Sequence, residues 1–324
     1  MRYRYILGIE TTCDDTGIGI FDIQKNRVIA NEVISSSKLQ GEFGGVVPEI
    51  AARKHEENLN LVLNKALKKA NLFLGQIDMI AYSSEPGLPS CLFSGKIFAE
   101  FLHLFLSKPL VPVNHLYAHL FSGEIEEELG EFPAIGMVVS GGHTAFYLVR
   151  DYHVINLLDQ THDDAVGEVY DKVGRSLGLC YPAGPKIDRL FSSKAINEKL
   201  FKFSCKQSNY LSFSGLKTAV LTHIKSIAYM TEPTIISIAS TFQKKIVDIL
   251  LVFLRKYLQI YPETKSVFVG GGVSANSYLQ SELIKSKLRV LLPKQRYTGD
   301  NGAMIAYYAS KIYKKRLISC FSQL

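Results

Sequence analysis

The chain has 324 residues, 47% of them hydrophobic and 21% charged, which is the balance of a globular protein that buries both faces of a sheet. Domains of roughly 100 to 200 residues are usual, so this length predicts two lobes, and the hydrophobic content argues against a chain dominated by disorder. Lys and Arg outnumber Asp and Glu by 37 to 30, and the net charge of +7 favours a polyanionic partner such as RNA or DNA.

The cysteines and the apolar runs indicate the cellular compartment of the protein. Five cysteines are scattered, odd in number and never spaced as Cys-x-x-Cys, so neither a disulfide framework nor a thiolate zinc site is expected. The apolar run after Arg4 is too short for a secretory signal, and no apolar stretch reaches the ~20 residues that cross a bilayer. We therefore expect a cytoplasmic protein without a membrane span.

The first lobe is predicted to begin with three strands joined by short turns and to continue with alternating helices and strands. In chain order the predicted elements are strands 6–12, 16–21 and 28–35, helix 47–70, strand 77–83, helix 90–106 and strand 110–113. This pattern predicts a mixed sheet with antiparallel and parallel pairs.

The second lobe repeats the first, because residues 135–146 match residues 7–18 as strand, polar turn and strand. The elements predicted after it are strand 154–158, helix 163–179, a polar insert over 193–217, helix 233–258, strand 266–269 and closing helices. We place the lobes at 1–130 and 131–324, with a helical insert near 193–230. Two such α/β units around a cleft predict an actin-like ATPase fold of duplicated RNase H-like lobes.

Two histidines four residues apart form the first candidate site. Asn114 is placed to cap a helix. In that helix the spacing of four residues puts His115 and His119 on one face, about 5 to 6 Å apart. Such a pair either chelates a metal ion or is simply two surface histidines, and the helix N-terminus should keep both neutral. Asp300 is the candidate third ligand, with a helix N-cap as its alternative role. Leu116 occupies the place of the general base in His-Glu-x-x-His proteases, which disfavours that class.

Three turns that contain glycine follow predicted strands, at residues 13–17, 140–144 and 270–276. A turn without a Cβ lets backbone amides approach phosphate, and the third turn also opens a helix whose dipole favours an anion. Asn276 can offer its amide to a ribose or a base. None of the turns matches a Walker or dinucleotide motif, so each is either a nucleotide contact or an ordinary tight turn.

Acidic residues recur at helical spacing within the predicted helix 163–179. Asp164, Glu168 and Asp171 should line one face, which is either a solvated stripe or a set of contacts to ribose hydroxyls. Residues 212–218 add hydroxyls and the cation Lys217, suited either to an anionic ligand or to capping the next helix.

Taken together and in this order, the motifs resemble the universal tRNA threonylcarbamoyladenosine family from about residue 6 to residue 309. The matching segments are residues 8–16, 114–119, 140–144, 163–172, 181–185, 213–218, 271–276 and 300–306. Singly these motifs are weak, but the ordered set is specific.

The resemblance implies an actin-like (ASKHA) fold and a transferase. The implied reaction moves threonylcarbamoyl from threonylcarbamoyl-AMP to the exocyclic N6 amine of adenosine at tRNA position 37, in tRNAs that read codons beginning with adenine, and releases AMP. The implied partners are tRNA, a smaller paralogue, TsaB, and a P-loop ATPase, TsaE.

The resemblance also assigns residues. His115, His119 and Asp300 match the ligands of one divalent metal ion, iron(II) in the first place with zinc as the alternative, and Asp14 matches a catalytic acid near the reactive centre. The matches to adenylate-binding positions are Val138, Val139, Ser140, Gly141, Gly142, Asp171, Gly184, Asp188 and Asn276.

This sequence departs from the family pattern at Glu85, Ser90 and Ala183, where glycine is usual. The alternative functions are an actin-fold ATPase or kinase, a non-catalytic scaffold, and a metalloprotease of the glycoprotease type. The three retained ligand positions argue against the first two, because a kinase holds magnesium mainly through carboxylates and phosphates.

Overall fold

The computed structural model describes residues 3–43, 45–201, 203, 210–286 and 288–321. They form two compact units, one made of Met1–Leu129 with Pro293–Leu324 and the other of Gly130–Leu292. We expected the whole chain after residue 130 to belong to the second lobe, whereas residues from Pro293 onward belong to the first unit.

The first elements of the first unit are β1 Tyr5–Glu10, β2 Asp15–Asp22, β3 Arg27–Ser35, α1 Ser37–Glu42, α2 Pro48–Ala70, β4 Met79–Glu85, α3 Pro89–Leu106, β5 Leu110–Asn114 and α4 His115–Phe121. Its strands form one five-stranded sheet in the order β3-β2-β1-β4-β5, in which β1 to β3 are antiparallel and β4 and β5 run parallel to β1.

The elements of the second unit are β6 Ala134–Val139, β7 Thr144–Val149, β8 Ile155–Gln160, α5 Val166–Ser176, α6 Gly184–Leu190, α7 Ser214–Ser226, α8 Glu232–Ile260, β9 Ser266–Gly270, α9 Ser277–Ile284 and β10 Arg289–Leu291. Its sheet has the same plan as that of the first unit, in the order β8-β7-β6-β9-β10. The predicted duplication is thus confirmed. The short strand β10 was missed, and part of the predicted insert lies outside the described residues.

The described part of the chain can be compared with the predictions on cysteines and apolar runs. Cys13, Cys91 and Cys180 are free thiols, while Cys205 and the side chain of Cys320 lie outside the described residues. No helix of the described residues is long and apolar enough to cross a bilayer.

The last helix, α10 Gly302–Phe321, returns to the first unit and packs on β1 and β2 through glycine. A Cβ on Gly8 would lie 2.1 Å from the carbonyl oxygen of Gly302, and a Cβ on Gly19 would lie 2.2 Å from the amide nitrogen of Ala303. The contact is therefore backbone against backbone. It explains why the end of the chain belongs to the first unit.

This close packing predicts the effect of Gly302→Ala. The added Cβ would lie 2.2 Å from the amide nitrogen of Gly19, and backbone on both sides leaves it no room. We expect the free energy of unfolding in urea to fall by roughly 1 to 3 kcal/mol, the usual effect of overpacking. The control is Gly75→Ala, whose Cβ would meet nothing within 4 Å. Equal unfolding free energies for the two variants would contradict the packing account.

Helix α5 begins at Val166, later than predicted, because the preceding carboxylates bind another segment. Asp163 accepts from the amide of Phe213 at 2.8 Å. Asp164 accepts from Lys172 Nζ at 2.5 Å, from Ser214 Oγ at 2.6 Å and from Lys217 Nζ. Asp164 therefore precedes the helix, and the predicted acidic stripe through Glu168 and Asp171 is wrong in its first member.

This cluster predicts a pH-dependent contribution to stability. Burial alone would raise the pKa of Asp164, but hydrogen bonds from Lys172, Lys217 and Ser214 outweigh it and hold that pKa well below its usual range. Because the folded-state pKa is the lower one, Asp164 stabilises the fold above the unfolded-state pKa of about 4, and the contribution is lost as the pH falls further.

Asp164→Asn should therefore unfold at lower urea than the wild type at pH 7, and the difference should shrink as the pH falls below about 4. Glu168→Gln is the control, since Glu168 also pairs with Lys172 but is 47% exposed, and it should cost little at any pH. A deficit of Asp164→Asn that does not change with pH would sink this account.

Candidate functional site

His115 and His119 are held as the sequence predicts. Asn114 Oδ1 accepts from the amides of Leu116 and Tyr117 at 3.0 and 3.1 Å and so caps α4. The two imidazoles lie on one face of α4 with ring centroids 4.6 Å apart. Both are buried, which excludes the alternative of two surface histidines.

Asp300 comes to these histidines from the segment just before α10. Its Oδ1 lies 3.0 Å from His119 Nε2 and 3.8 Å from His115 Nε2, and one ligand atom of each residue lies within 4.8 Å of the others. The capping role belongs to the next residue, because Asn301 Oδ1 accepts from the amide of Met304 at 3.0 Å. The lobe bounds predicted from the sequence placed Asp300 in the second lobe, whereas all three residues belong to a single unit.

The chemistry of this group fits a divalent cation. Two imidazoles and one carboxylate suit iron or zinc, and three protein ligands leave coordination positions open. His119 presents Nε2 to the group, while its Nδ1 is buried without a hydrogen-bond partner.

Glu10 lies beside His115 at the end of β1, and sequence reasoning missed it. Its Oε2 lies 2.9 Å from His115 Nδ1. Burial lowers the pKa of His115, but the charges of Glu10 and Asp300 outweigh burial and raise that pKa to about 9. These two full charges oppose the helix N-terminus, which by itself favours the neutral ring that a metal ligand requires.

Three ionisable side chains lie at the turn from the end of β1 to the start of β2, namely Cys13, Asp14 and Asp15. The Asp14 carbonyl accepts from Ser36 N at 2.9 Å and from its hydroxyl at 2.8 Å, which fixes the turn. Burial, followed by the charges of Asp300 and Asp14, raises the pKa of Asp15 to about 7. Burial and the same two charges raise the pKa of the Cys13 thiol, so Cys13 is no thiolate nucleophile at neutral pH.

His55, also missed from the sequence, ties this turn to α2. Its Nε2 lies 3.0 Å from the Cys13 carbonyl oxygen and its Nδ1 lies 2.8 Å from Thr16 Oγ1. Because the carbonyl only accepts, Nε2 carries the proton and the threonine hydroxyl donates to Nδ1. Burial lowers the pKa of His55, which favours this neutral form.

In the second unit, the turn after β6 adjoins the turn after β9. Val138 and Val139 are buried at the end of β6. Gly271 has φ +92°, and a Cβ there would lie 2.4 Å from the Val139 carbonyl oxygen. Gly141 and Gly142 instead face open space, since a Cβ on either would meet nothing within 4 Å.

Asp171 and Gly184 meet at the start of α6. Asp171 Oδ1 accepts from the Ala183 amide at 2.7 Å, and burial raises the pKa of Asp171. The contact uses the backbone of Ala183, so alanine in place of the usual glycine leaves it intact.

Asp188 and Asn276 belong to one hydrogen-bonded network with two residues that sequence reasoning missed. Asp188 Oδ1 accepts from Gln243 Nε2 at 2.8 Å and from Ser277 Oγ at 2.9 Å. Asn276 Nδ2 donates to the hydroxyl of Tyr170 at 3.3 Å, which in turn lies 3.5 Å from Gln243 Oε1. The sequence gives little indication of a role for Tyr170 and Gln243, because both lie on helices and fit the pattern of ordinary helix positions.

Asn276 also caps α9, since its Oδ1 accepts from the Leu279 amide at 2.9 Å. Both the oxygen and the nitrogen of this side-chain amide therefore have partners within the protein.

The nine adenylate-binding positions predicted from the resemblance all lie in the second unit, and the three predicted metal ligands and Asp14 all lie in the first.

Two solved structures with this architecture come from distant proteins. The activator of 2-hydroxyisocaproyl-CoA dehydratase from Clostridium difficile, solved with bound ADPNP, is 13% identical with a TM-score of 0.55, and the match covers 97% of each chain. HypF from T. kodakarensis is 12% identical with a TM-score of 0.60, over 97% of this chain and 48% of that one. At such identity the likeness shows the fold alone, the actin-like ASKHA fold expected from the sequence.

Relatives in sequence are much closer. A protein of Mycoplasma pneumoniae named tRNA N6-adenosine threonylcarbamoyltransferase is 45% identical over 94% of this chain and 96% of its own length. One of the same name from Ureaplasma parvum serovar 3 is 42% identical over 95% of both chains. The family model described as "TsaD: tRNA N6-adenosine threonylcarbamoyltransferase" matches residues 27–307. The chain therefore belongs to the TsaD family.

Proposed function

We propose that this chain transfers threonylcarbamoyl from threonylcarbamoyl-AMP to N6 of adenosine at position 37 of tRNAs that read codons beginning with adenine. The observation that carries the proposal is the buried group of His115, His119 and Asp300 in a member of the TsaD family. Nothing in the sequence relatives favours an ATPase, a kinase or a glycoprotease.

In the proposed reaction the N6 amine attacks the carbamoyl carbon. The bond from that carbon to the phosphate oxygen breaks, and AMP leaves with the bonding electron pair. Asp14 accepts the proton that the amine loses. A covalent enzyme intermediate is not part of the mechanism, in keeping with the raised pKa of the Cys13 thiol.

His115, His119 and Asp300 would hold one divalent ion, for which we propose iron(II), with zinc as the alternative that the same donors accept. Such an ion, when bound, acts as a Lewis acid that polarises oxygen atoms of the substrate. The protein itself positions the three ligands and excludes water from the two histidines, which are 5% and 0% exposed.

The adenylate is proposed to bind in the second unit, at the residues that match the family's positions. The open space next to Gly141 and Gly142 leaves their backbone accessible to a phosphate. The carboxylates of Asp171 and Asp188 supply acceptors of the kind that recognise ribose hydroxyls.

We also propose that the chain works in the cytoplasm with tRNA, TsaB and TsaE. The net charge of +7 supports binding of a polyanion. Helix α3 exposes an apolar stripe that supports docking of the paralogue TsaB, made of Phe93, Ile97, Phe101, Leu104 and Phe105.

The metal proposal predicts that Ala at any one of His115, His119 and Asp300 lowers metal content and threonylcarbamoyl transfer in parallel, each by at least about tenfold. Elemental analysis and mass spectrometry of tRNA nucleosides measure the two quantities. His162→Ala is the control, because His162 is 60% exposed and lies in the other unit. Full metal content and activity in Asp300→Ala would show that the third ligand is misassigned.

The nucleotide proposal predicts that Asp171→Ala and Asn276→Ala each weaken AMP binding about tenfold in calorimetry, the loss of roughly one buried polar contact. Asn276→Ala also removes a helix cap at about 1 kcal/mol. Thr231→Ala controls for this cost, because Thr231 caps α8 by accepting from the Thr234 amide at 3.4 Å and lies outside the proposed site. Unchanged AMP affinity in both test variants would place the nucleotide elsewhere.

A further inference from the structure

Glu10 is a fully buried carboxylate at the end of a strand that is otherwise apolar. It is 0% exposed, and a buried charge costs several kcal/mol unless it is paired and hydrogen-bonded. An apolar side chain would fill this place at lower cost to stability. The reason for a carboxylate here must therefore lie in what its two oxygens contact.

Each oxygen of Glu10 has a separate partner. Oε1 accepts from the Thr12 amide at 2.6 Å, and Oε2 lies 2.9 Å from His115 Nδ1. Thr12 Oγ1 lies 3.4 Å from the same nitrogen, which is too long for a strong bond. Glu10 is thus the principal partner of His115 on the side away from Asp300.

We infer that Glu10 is a positioning residue of the metal centre, which sets the tautomer and the orientation of His115 and joins the metal centre to the turn that carries Asp14. A carboxylate only accepts, so Nδ1 of His115 carries a proton. The lone pair of the neutral ring is then on Nε2, the nitrogen 3.8 Å from Asp300 Oδ1. Carboxylates that hold a ligating histidine in this way commonly raise metal affinity 10- to 100-fold.

The two histidines are oriented by different means. His119 Nδ1 has no hydrogen-bond partner, so on that side its ring is held by packing against its neighbours, including the His115 ring at 81°; its other nitrogen, Nε2, contacts Asp300 at 3.0 Å. His115 has the hydrogen bond to Glu10. Loss of Glu10 should therefore affect one ligand selectively and leave the other in place.

Glu10→Gln is the sharpest substitution, because it keeps the shape of the side chain and leaves one acceptor oxygen instead of two. That oxygen can serve the Thr12 amide or His115 Nδ1, but not both. An amide NH₂ directed at Nδ1 would favour the tautomer that carries its proton on Nε2. A protonated Nε2 has no lone pair with which to bind a metal ion.

The inference rests on the metal site of the proposed function, and the experiment separates the two. Zinc affinity of the full chain is measured by chelator competition for the wild type, His115→Ala, Glu10→Gln, Glu10→Asp and the control Glu124→Gln. Glu124 is equally buried and accepts from the Tyr307 hydroxyl at 3.0 Å. In zinc-loaded protein, nitrogen NMR of the imidazoles reports whether His115 Nδ1 carries the proton.

We expect zinc to bind 10- to 100-fold more weakly to Glu10→Gln, with an intermediate loss for Glu10→Asp and none for Glu124→Gln. The Nδ1 proton signal of His115 should be present in the wild type and altered in Glu10→Gln. If Glu10→Gln does not fold, Glu10→Asp carries the same test with its retained carboxylate.

Wild-type zinc affinity in Glu10→Gln, together with loss of zinc in His115→Ala, would overturn the role of Glu10 and leave the metal centre standing. Failure of the wild type itself to bind zinc or iron(II) would overturn the metal centre and this inference with it.

Discussion

Backbone-to-backbone packing of α10 on β1 and β2 is the constraint on which the candidate metal centre depends. Gly8, Gly19 and Gly302 allow the helix to approach within a distance that any Cβ would block. Asp300 lies immediately before that helix, so the same contact sets where its carboxylate reaches α4. A ligand 181 positions from His119 along the chain thereby comes within 3.0 Å of it. The stability of this unit and the position of the Asp300 carboxylate are consequently coupled through three glycines.

Acidic side chains are concentrated near this contact, and their carboxylates differ in how many hydrogen-bond partners they have. Glu10 is matched by two hydrogen-bonded partners, whereas one oxygen of Asp15 is buried and has none. The pKa of Asp15 is accordingly raised to about 7, as expected for a carboxyl group that loses hydration near other acids. A divalent cation between the histidines and Asp300 would offset this negative charge. The acidic groups near His115 and His119 are thus compatible with a bound cation.

The second unit uses its polar groups differently. Asp164, Asp188 and Asn276 bind other groups of the protein, in a salt-bridged cluster, a helix-end contact and a helix cap respectively. In the same unit the backbone at Gly141 and Gly142 faces open space. Recognition of a nucleotide here would depend on a rigid frame of side chains as much as on direct contacts.

The sequence by itself determined the duplicated order of strands, the capped helix with its two histidines and the family, because these depend on local periodicity, capping and ordered motifs. The tertiary structure decided what depends on distance in space. In it, Pro293–Leu324 belongs to the first unit and α5 begins at Val166. Glu10 lies beside His115, and His55 contacts the turn that carries Asp14. Glu10 reads from the sequence only as an acid at the end of a strand. Its partner His115 is 105 residues away along the chain, and no local pattern records which buried carboxylate a folded chain brings to which imidazole.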